Sequence, residues 1–449
     1  MDINLLKQSE GKTLEFKRDL SSPVGVLRTI VAFANTAGGT LIIGVEDGTK
    51  QVLGLKEPLR VEERLANLIS DLILPRLVPD LDVLPWRQTN LLAVQVYPSP
   101  VRPHYLKKEG LKGGAYVRVG STNRRADREL IEELKRFTRG EAYDEQAMPE
   151  LDSEALDFLA ASESFAPARK IKRSDLETLR LLTHHQGRKV PTIGGMLLYG
   201  KDRERYFPDA WIQAGRFRGR DKTNIADSNE IRLYPVAAIE ETIAFIQKHI
   251  LHGAEIGAIR RREVWNLPPV AIREAIINAV VHTDYAQQGA PIRVSIFDDR
   301  LEVENPGLLP FGLTVDDIKA GVSRLRNRVI GRVFNELALI EQWGSGVQRI
   351  ISACQDAGVK EPVFEELGNR FRVTLYTTQT GKPIVDKTDR AILDALASGK
   401  GLSTSDIAEI IGRSPRTART RLVKLIEHGL VNDVGTSPMD PKRRYYLTS

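Results

Sequence analysis

The sequence predicts a multidomain chain of the α/β (α+β) class, and three observations carry that prediction. At 449 residues the chain exceeds what one ordinary hydrophobic core can serve. Short β-branched runs alternate with longer apolar-periodic runs over most of its length, the pattern of strands and helices packed in layers. The final stretch changes character, with three helical segments followed by two short strands. Charged residues at 28% and hydrophobic residues at 41% fit a globular chain. No uninterrupted apolar run is long enough to span a bilayer, and Met1-Asp-Ile-Asn-Leu-Leu-Lys7 lacks a signal-peptide layout, so no membrane partner and a cytoplasmic location are expected. The single cysteine, Cys354, excludes an internal disulfide and thiolate metal clusters and suits a reducing compartment. A net charge of +6 favours an anionic partner, though only weakly, because 59 acidic residues are interspersed.

Four segments follow in order. In residues 1–139, Leu14-Glu-Phe-Lys17 reads as a strand, and residues 24–37 as an apolar helix stopped by Gly38-Gly39. Thr40-Leu-Ile-Ile-Gly-Val-Glu-Asp47, Leu91-Leu-Ala-Val-Gln-Val-Tyr97 and Ala115-Tyr-Val-Arg-Val119 read as strands, and residues 127–136 as a helix. Residues 140–149 read as a polar linker. In residues 151–254, Gly194-Gly-Met-Leu-Leu-Tyr199 and Ala210-Trp-Ile-Gln-Ala214 read as strands and residues 236–249 as a long helix. This segment carries no nameable chemistry. Residues 255–376 form the third segment. Thr377-Thr-Gln-Thr-Gly-Lys-Pro383 reads as a second linker, and residues 385–449 as a small helical unit.

The third segment opens with the most informative stretch, Arg273-Glu-Ala-Ile-Ile-Asn-Ala-Val-Val-His-Thr-Asp-Tyr285. Ala271, Ala275, Ile276, Ala279 and Val280 recur at helical spacing, so one face is built for burial. Glu274, Asn278 and His282 are four residues apart and share a face. A carboxylate, an amide and an imidazole on one stripe suit a hydrated Mg²⁺ and the phosphates it carries, although a plain polar helix face would look the same. Next, Ile292-Arg-Val-Ser-Ile-Phe-Asp-Asp299 and Leu301-Glu-Val-Glu-Asn-Pro-Gly307 predict a hairpin ending in a turn. Glu341-Gln-Trp-Gly-Ser-Gly-Val347 then opens a helix with glycines, which lets backbone N–H groups approach a phosphate. This order, with Ser323-Arg-Leu-Arg-Asn327 between, resembles the GHKL ATPase superfamily over residues 255–376. It is closer still to the helicase-like C-terminal ATPase domain of bacterial regulators. The resemblance implies ATP with Mg²⁺ as cofactors. It places Asn278 on the metal, Glu274 as the group that orients or deprotonates the attacking water, and His282 in the ATP site. Glu304, Asn305 and Gly307 then fall near adenine, and Gly344 and Gly346 near the phosphates. The superfamily usually has Asp-X-Gly-X-Gly at the adenine turn, where this chain has Glu-Asn-Pro-Gly.

In the first segment, Ser9-Glu-Gly-Lys-Thr-Leu-Glu-Phe-Lys-Arg18 precedes Ile30-Val-Ala-Phe-Ala-Asn-Thr-Ala-Gly-Gly-Thr-Leu-Ile-Ile-Gly-Val-Glu-Asp47. These blocks resemble the Schlafen-type AlbA domain over most of residues 6–138. That resemblance implies nucleic-acid binding, of DNA or RNA. Some members cut RNA with a three-carboxylate metal site, whose matching positions are Glu10, Glu15 and Asp47, with Mg²⁺ or Mn²⁺. Converging carboxylates repel one another unless a cation neutralises them, whereas solvated surface groups beside Lys12, Lys17 and Arg18 need none. Basic residues add a phosphate-binding surface: Arg118, Arg124 and Arg125 at a strand end, with Arg102, His104, Tyr105, Lys107 and Lys108 nearby in sequence.

In the last segment, Arg390-Ala-Ile-Leu-Asp-Ala-Leu396, Ser403-Thr-Ser-Asp-Ile-Ala-Glu-Ile-Ile-Gly412 and Ser414-Pro-Arg-Thr-Ala-Arg-Thr-Arg-Leu-Val-Lys-Leu-Ile-Glu427 read as three helices. The second is capped by serine, and the third has serine at the cap and proline at its first position. Gly429-Leu-Val-Asn-Asp-Val434 and Lys442-Arg-Arg-Tyr-Tyr-Leu447 read as strands. The unit resembles the winged helix of bacterial transcription regulators. Arg416, Thr417, Arg419, Thr420 and Lys424 then lie on the exposed face of a recognition helix, with Arg443 and Arg444 on the wing. The expected function is a cytoplasmic, DNA-binding transcriptional regulator whose grip is modulated by ATP. Two half-sites would suit an even homo-oligomer. The alternative is a Schlafen-like metal-dependent nuclease gated by the ATP domain, in phage defence.

Overall fold

The computed structural model describes residues 5–6, 8–256, 261–265, 267–341, 344–377, 387–397, 401–427, 430–434 and 443–447. At 251–256, 261–265, 387, 424, 427 and 434 it describes the backbone alone. Packing divides the chain into two compact units, Met1–Ala353 with Glu361–Leu375, and Cys354–Lys360 with Tyr376–Ser449.

In the first unit, the strand Leu14–Lys17 leads through the helix Pro23–Asn35 to the strand Gly39–Ile43, which runs parallel to it. The strands Thr89–Val96 and Asp80–Trp86 extend the sheet antiparallel. The helix forms because residues 26–35 are almost all apolar and bury together against the sheet. It ends where Gly38 adopts φ +77°, a position at which a Cβ would meet the Val96 carbonyl at 2.7 Å. Asn35, at the helix end, donates from Nδ2 to the His104 and Tyr116 carbonyls, and its Oδ1 accepts the His104 N–H. These bonds fix the hairpin of Tyr116–Val119 and Thr122–Arg125 to the helix. The helix Arg128–Arg139 follows, with Asp127 capping Leu130 N–H at 2.9 Å.

A second sheet has six strands in the order Ile225–Ile231, Ile212–Phe217, Ile292–Ile296, Arg300–Pro306, Arg370–Tyr376 and Val363–Leu367. Ile212–Phe217 runs parallel to Ile292–Ile296, so the sheet draws strands from both sides of residue 255. The helix Pro269–His282 packs on it against Arg300–Pro306.

Four sequence expectations change in detail. Gly194-Gly-Met-Leu-Leu-Tyr199 is not a strand but part of the helix Ile193–Tyr199, capped by the Thr192 hydroxyl, which accepts Gly195 N–H at 2.9 Å. All seven residues of that helix are buried. A Cβ on Gly195 would stand 2.2 Å from the Leu181 carbonyl oxygen, so glycine is what permits the approach. The strand expected at 210–214 is Ile212–Phe217, and the one expected at 40–47 ends at Ile43. The polar stretch 140–149 is tied down rather than loose. Asp144 is fully buried and accepts N–H bonds from Arg328, Val329 and Ile330 at 2.9, 2.7 and 3.0 Å, the start of the helix Arg328–Glu336.

The second unit packs the helices Lys387–Leu396, Thr404–Ile410 and Pro415–Glu427 against the antiparallel hairpin Val431–Val434 and Arg444–Leu447, around Ile392, Leu396, Ile407, Leu422, Leu425 and Tyr445. Ser403 and Asp406 form a reciprocal capping box at the second helix. No described helix is long and apolar enough to cross a membrane.

Asp144 satisfies a helix start that otherwise has no acceptor. Asp144→Ala is therefore expected to destabilise the first unit by about 2 kcal/mol, read as a lower denaturant midpoint, with Asp144→Asn losing less.

Candidate nucleotide and nucleic-acid sites

The helix Pro269–His282 buries its apolar side and turns Glu274, Asn278 and His282 toward one cleft. The expected stripe is thus real. Glu274 is only 4% exposed. Its Oε1 lies 3.2 Å from Arg349 Nη2 and 3.4 Å from Arg273 Nη1, so the carboxylate is charge-paired. Across the cleft the helix Gly346–Asp356 begins against this stripe. A Cβ on Gly346 would meet Glu274 Oε2 at 2.9 Å and Asn278 Nδ2 at 3.2 Å. Gly344 has φ +70°, and a Cβ there would stand 2.7 Å from Ser323 Cβ. Gly344 is required by its backbone conformation and by its close approach to Ser323 and the Gly321 carbonyl, whereas a methyl at Gly346 would displace the side-chain ends of Glu274 and Asn278. Trp343 of the same motif lies outside the described residues.

The cleft encloses about 1050 Å³, its open mouth included. Val303 and Asn305 reach it from one face of the strand Arg300–Pro306, with Phe364, Phe371 and Val373 beside them. Alternation along the strand sends Glu304 to the opposite face. There it pairs with Lys222 at 3.2 Å and Arg372 at 3.0 Å. Burial works to raise the Glu304 pKa, but these two cations hold it below the usual carboxylate range. Asn305 is thus the member of the pair that lines the cleft. Gly307 sits apart, with φ +101° and its Cβ position 2.9 Å from Arg326 Nη1 and from Asp284 Cβ; it shapes the turn instead of lining the cleft.

Residues 308–325 form the remaining wall. Leu308, Leu309, Leu313, Ser323 and Arg324 line the cleft. Leu308 and Phe311 are at the same time members of the hydrophobic core built by Ala115, Val117, Leu130, Ile131 and Leu134 of the N-terminal segment. Leu309 N–H donates to Glu366 Oε1 at 2.8 Å, and Lys12 Nζ pairs with Glu366 at 2.7 Å. Sequence reasoning missed Phe311, Leu309 and Glu366, because their role comes from contacts 57 to 354 residues apart that leave no local pattern.

The donors of the cleft fit Mg²⁺ and ATP. Asn278 offers an amide oxygen at the glycine-lined helix start, and Gly346 leaves a space that a side chain would fill. His282 is neutral. Burial, reinforced by Arg326, pulls its pKa from 6.5 down to about 4, and its buried Nδ1 has no hydrogen-bond partner.

The N-terminal carboxylates do converge. Glu10 is raised by burial and then by the charges of Glu15 and Asp47, while its Oε1 accepts Phe16 N–H at 2.8 Å. Yet Lys17 Nζ stands 2.6 Å from Glu15 and 3.3 Å from Asp47, and Arg118 Nη2 lies 2.5 Å from Glu15 Oε2. Two cations of the chain thus pair with Glu15 and Asp47. Among the described residues no cluster of three His, Cys, Asp or Glu side chains is arranged for a metal ion. The donors here do not fit the expected Mg²⁺ or Mn²⁺.

Arg118 is a correction to the expected nucleic-acid surface. It is 0% exposed, donates to the Gly11 and Leu14 carbonyls and to Asn123 as well as to Glu15, and stacks over Phe33. Arg102 and His104 are buried too, Arg102 lying over the rings of Phe137 and Phe311. Arg124, Arg125, Lys107 and Lys108 remain exposed.

On the helix Pro415–Glu427, Arg416, Thr417, Arg419 and Thr420 are exposed while Ala418 and Leu422 are buried, as the helical spacing predicted. The side chain of Lys424 lies outside the described residues. Arg443 pairs with Asp433, and Arg444 with Asp406 at 3.0 Å.

Comparison with known proteins finds matches to three parts of the chain. A family model described as "Putative ATP-dependent DNA helicase recG C-terminal" matches residues 289–375, one described as "Schlafen, AlbA_2" matches 10–127, and one described as "Helix-turn-helix domain" matches 384–434. The Glu274 helix lies just before the first of these matches. Among solved structures, the DIP2311 protein of Corynebacterium diphtheriae is 19% identical over 99% of this chain and 95% of that one, with a TM-score of 0.46. The N-terminal domain of a RecG-related protein of Nitrosomonas europaea is 30% identical over 27% of this chain and 91% of that one, with a TM-score of 0.23. No curated protein matches the chain at a significant level. The chain therefore carries a Schlafen-type AlbA domain, an ATPase-type domain and a helix-turn-helix domain. These matches support DNA binding and ATP binding.

Two outcomes are expected. The folded chain refuses at His282 a proton that the unfolded chain accepts below pH 6.5, so acidification toward pH 4 costs the first unit up to about 3 kcal/mol. His282→Gln should flatten stability curves measured across that window. Removing Arg118 strands a buried carboxylate, so Arg118→Ala should lower the melting transition by the equivalent of about 3–5 kcal/mol, whereas a surface contact to nucleic acid would leave it unchanged.

Proposed function

We propose that this protein is a cytoplasmic, DNA-binding transcriptional regulator whose hold on nucleic acid responds to Mg²⁺–ATP in the Glu274/Asn278 cleft. One observation carries the reading: Leu308 lines that cleft and belongs to the N-terminal domain's core at once, with Phe311 of the same segment packed in that core. A ligand that repacks this wall acts directly on the N-terminal domain. Asn278 would hold the metal, and the backbone at Gly344 and Gly346 the phosphates. Asn305 would face the base, within an apolar slot formed by Val303, Phe364, Phe371 and Val373. The bound metal would screen the phosphate charge. Glu274 is placed to orient a water at the same helix start, with Arg349 holding its carboxylate in position.

The exposed Arg124 and Arg125 would meet phosphates in the N-terminal domain, and Arg416 and Arg419 would meet DNA in the last unit. A pair of copies would match two half-sites. The nuclease alternative receives no support from Glu10, Glu15 and Asp47, because Lys17 and Arg118 occupy the positions a metal would take in charge terms.

Calorimetric titration with Mg²⁺–ATP tests the reading. Saturable binding is expected in the wild type, weakened at least tenfold in Gly346→Ala, whose added methyl enters the space between Glu274 and Asn278. DNA affinity should shift on ATP addition, and Phe311→Ala should erase the shift while leaving ATP binding intact. A wild-type protein that never saturates with ATP would end the proposal.

A further inference from the structure

The structure assigns a second ligand site, for phosphate groups of a nucleic-acid backbone, to the cleft between the helices Arg128–Arg139 and Arg328–Glu336. The inference rests on the reading that this chain binds nucleic acid. The cleft encloses about 2210 Å³ with its open mouth, room for more than one phosphate. It adjoins the nucleotide cleft, and the two share Ser323, Arg324 and Glu341 as a common wall.

Five arginines and five acids line it, but they do not cancel. Glu141 pairs with Arg139 at 3.9 Å, Glu336 with Arg169 at 3.2 Å and Glu341 with Arg349 at 2.6 Å, all arginines from outside the lining. Glu133 takes Arg326 at 2.6 Å, and Asp284 stands 3.8 Å from the same guanidinium. Arg328 is spent on Glu145 and the Gly140 carbonyl. Arg136, Arg324 and Arg332 form no ion pair with any described residue. Arg136 lies over Tyr143, Arg324 donates to the Phe311 carbonyl, and Arg332 makes one long bond to the Thr178 carbonyl at 3.4 Å.

A second observation points to a ligand. Arg326, whose side chain is 8% exposed, lines this cleft with a buried Nε that has no hydrogen-bond partner. A buried guanidinium N–H left unmet is rare in a native fold unless something arrives to accept it. A planar guanidinium fork matches phosphate oxygens closely.

The chemistry favours backbone over bases. The aromatic faces at the cleft are already covered, Tyr143 by Arg136 and Phe137 by Arg102 and Arg324. Phe311, a further ring in the lining, lies against Arg102 and Phe137, so recognition by this cleft is of charge and is tolerant of sequence. The other source of the same chemistry is the phosphate tail of a nucleotide in the adjoining cleft, reached through Arg324.

The test uses the full-length chain with Arg136→Ala and Arg332→Ala combined, since neither residue lines the nucleotide cleft. Affinities for a labelled single strand, and for a duplex of the same sequence, are measured against salt. Mg²⁺–ATP affinity is measured without nucleic acid. Losing two phosphate contacts should lower the slope of log affinity against log salt by about 1.5, and Arg→Lys at both positions should restore most of it. A loss confined to Mg²⁺–ATP affinity would keep the phosphate site and assign it to the nucleotide. Unchanged slopes and unchanged ATP affinity, in a variant that melts like the wild type, would overturn the site. If the alanine pair does not fold, the glutamine pair is read in the same way. A wild-type chain that binds neither nucleic acid nor ATP would instead remove the underlying reading, and this site with it.

Discussion

The first unit depends on a peptide that belongs to two places at once. Leu308 and Phe311 are buried among N-terminal residues, while Leu308, Leu309 and Leu313 wall the nucleotide cleft. Burying a leucine and a phenylalanine contributes about 1.5–3 kcal/mol each, so pulling this peptide free would cost about 3–6 kcal/mol. A ligand shifts such an equilibrium only by its differential affinity for the two states. Full detachment would consume most of the binding energy of a micromolar ligand, which is about 8 kcal/mol. Repacking in place is cheaper, because close-packed interiors switch between discrete arrangements more readily than they stretch. The polar link of Leu309 and Glu366 runs beside the apolar one and ends at Lys12 of the N-terminal domain. The two links together hold the wall in register with the N-terminal sheet.

Charge neutralisation inside the N-terminal domain follows a different logic. Taking Glu15 out of water is costly unless a cation goes with it. Arg118 does so, and its remaining N–H groups are satisfied by the Gly11 and Leu14 carbonyls and by Asn123. Lys17 then bridges Glu15 and Asp47 at the edge of the same group. Two cations of the chain thus offset most of the charge of Glu15 and Asp47, while Glu10 is held by the Phe16 N–H. The arrangement holds the strand Leu14–Lys17 against the hairpin that carries the exposed Arg124 and Arg125. The domain thus keeps a rigid base under the residues that face solvent.

Much of this was legible in the sequence, for physical reasons that also set the limit. The helical spacing of Glu274, Asn278 and His282 is a local property, and the structure keeps it, as it keeps the Ser403 cap and the hairpin of residues 292–307. The six-residue apolar run at Gly194 was not decidable by period, since a buried helix and a buried strand look alike over that length. The cap at Thr192 was the available signal, and it was passed over. Arg118 and Arg102 were read as surface groups because arginine is seldom buried. Their partners, Glu15 for one and Phe137 with Phe311 for the other, lie far away in sequence. The pairing of Ile212–Phe217 with Ile292–Ile296 is equally nonlocal, and so a boundary drawn at residue 255 runs through a single sheet.

The last unit narrows what its recognition helix can say to DNA. Both threonines on the exposed face have a local use for their hydroxyls. Thr420 Oγ1 donates to the Arg416 carbonyl at 3.1 Å, and Thr417 Oγ1 lies 3.0 Å from Ser414 Oγ. On the wing, Arg443 and Arg444 are engaged by Asp433 and Asp406. Arg416 and Arg419 are exposed guanidinium groups on this helix that no described neighbour engages, unlike Arg421, which pairs with Asp389. Arginine reaches either a phosphate or, bidentately, the O6 and N7 of guanine in the major groove. Were Arg416 and Arg419 to meet base edges, guanine is the base they would discriminate best. Added specificity has to come from the spacing of two such helices or from the shape of the DNA, and neither requires further side chains on this face.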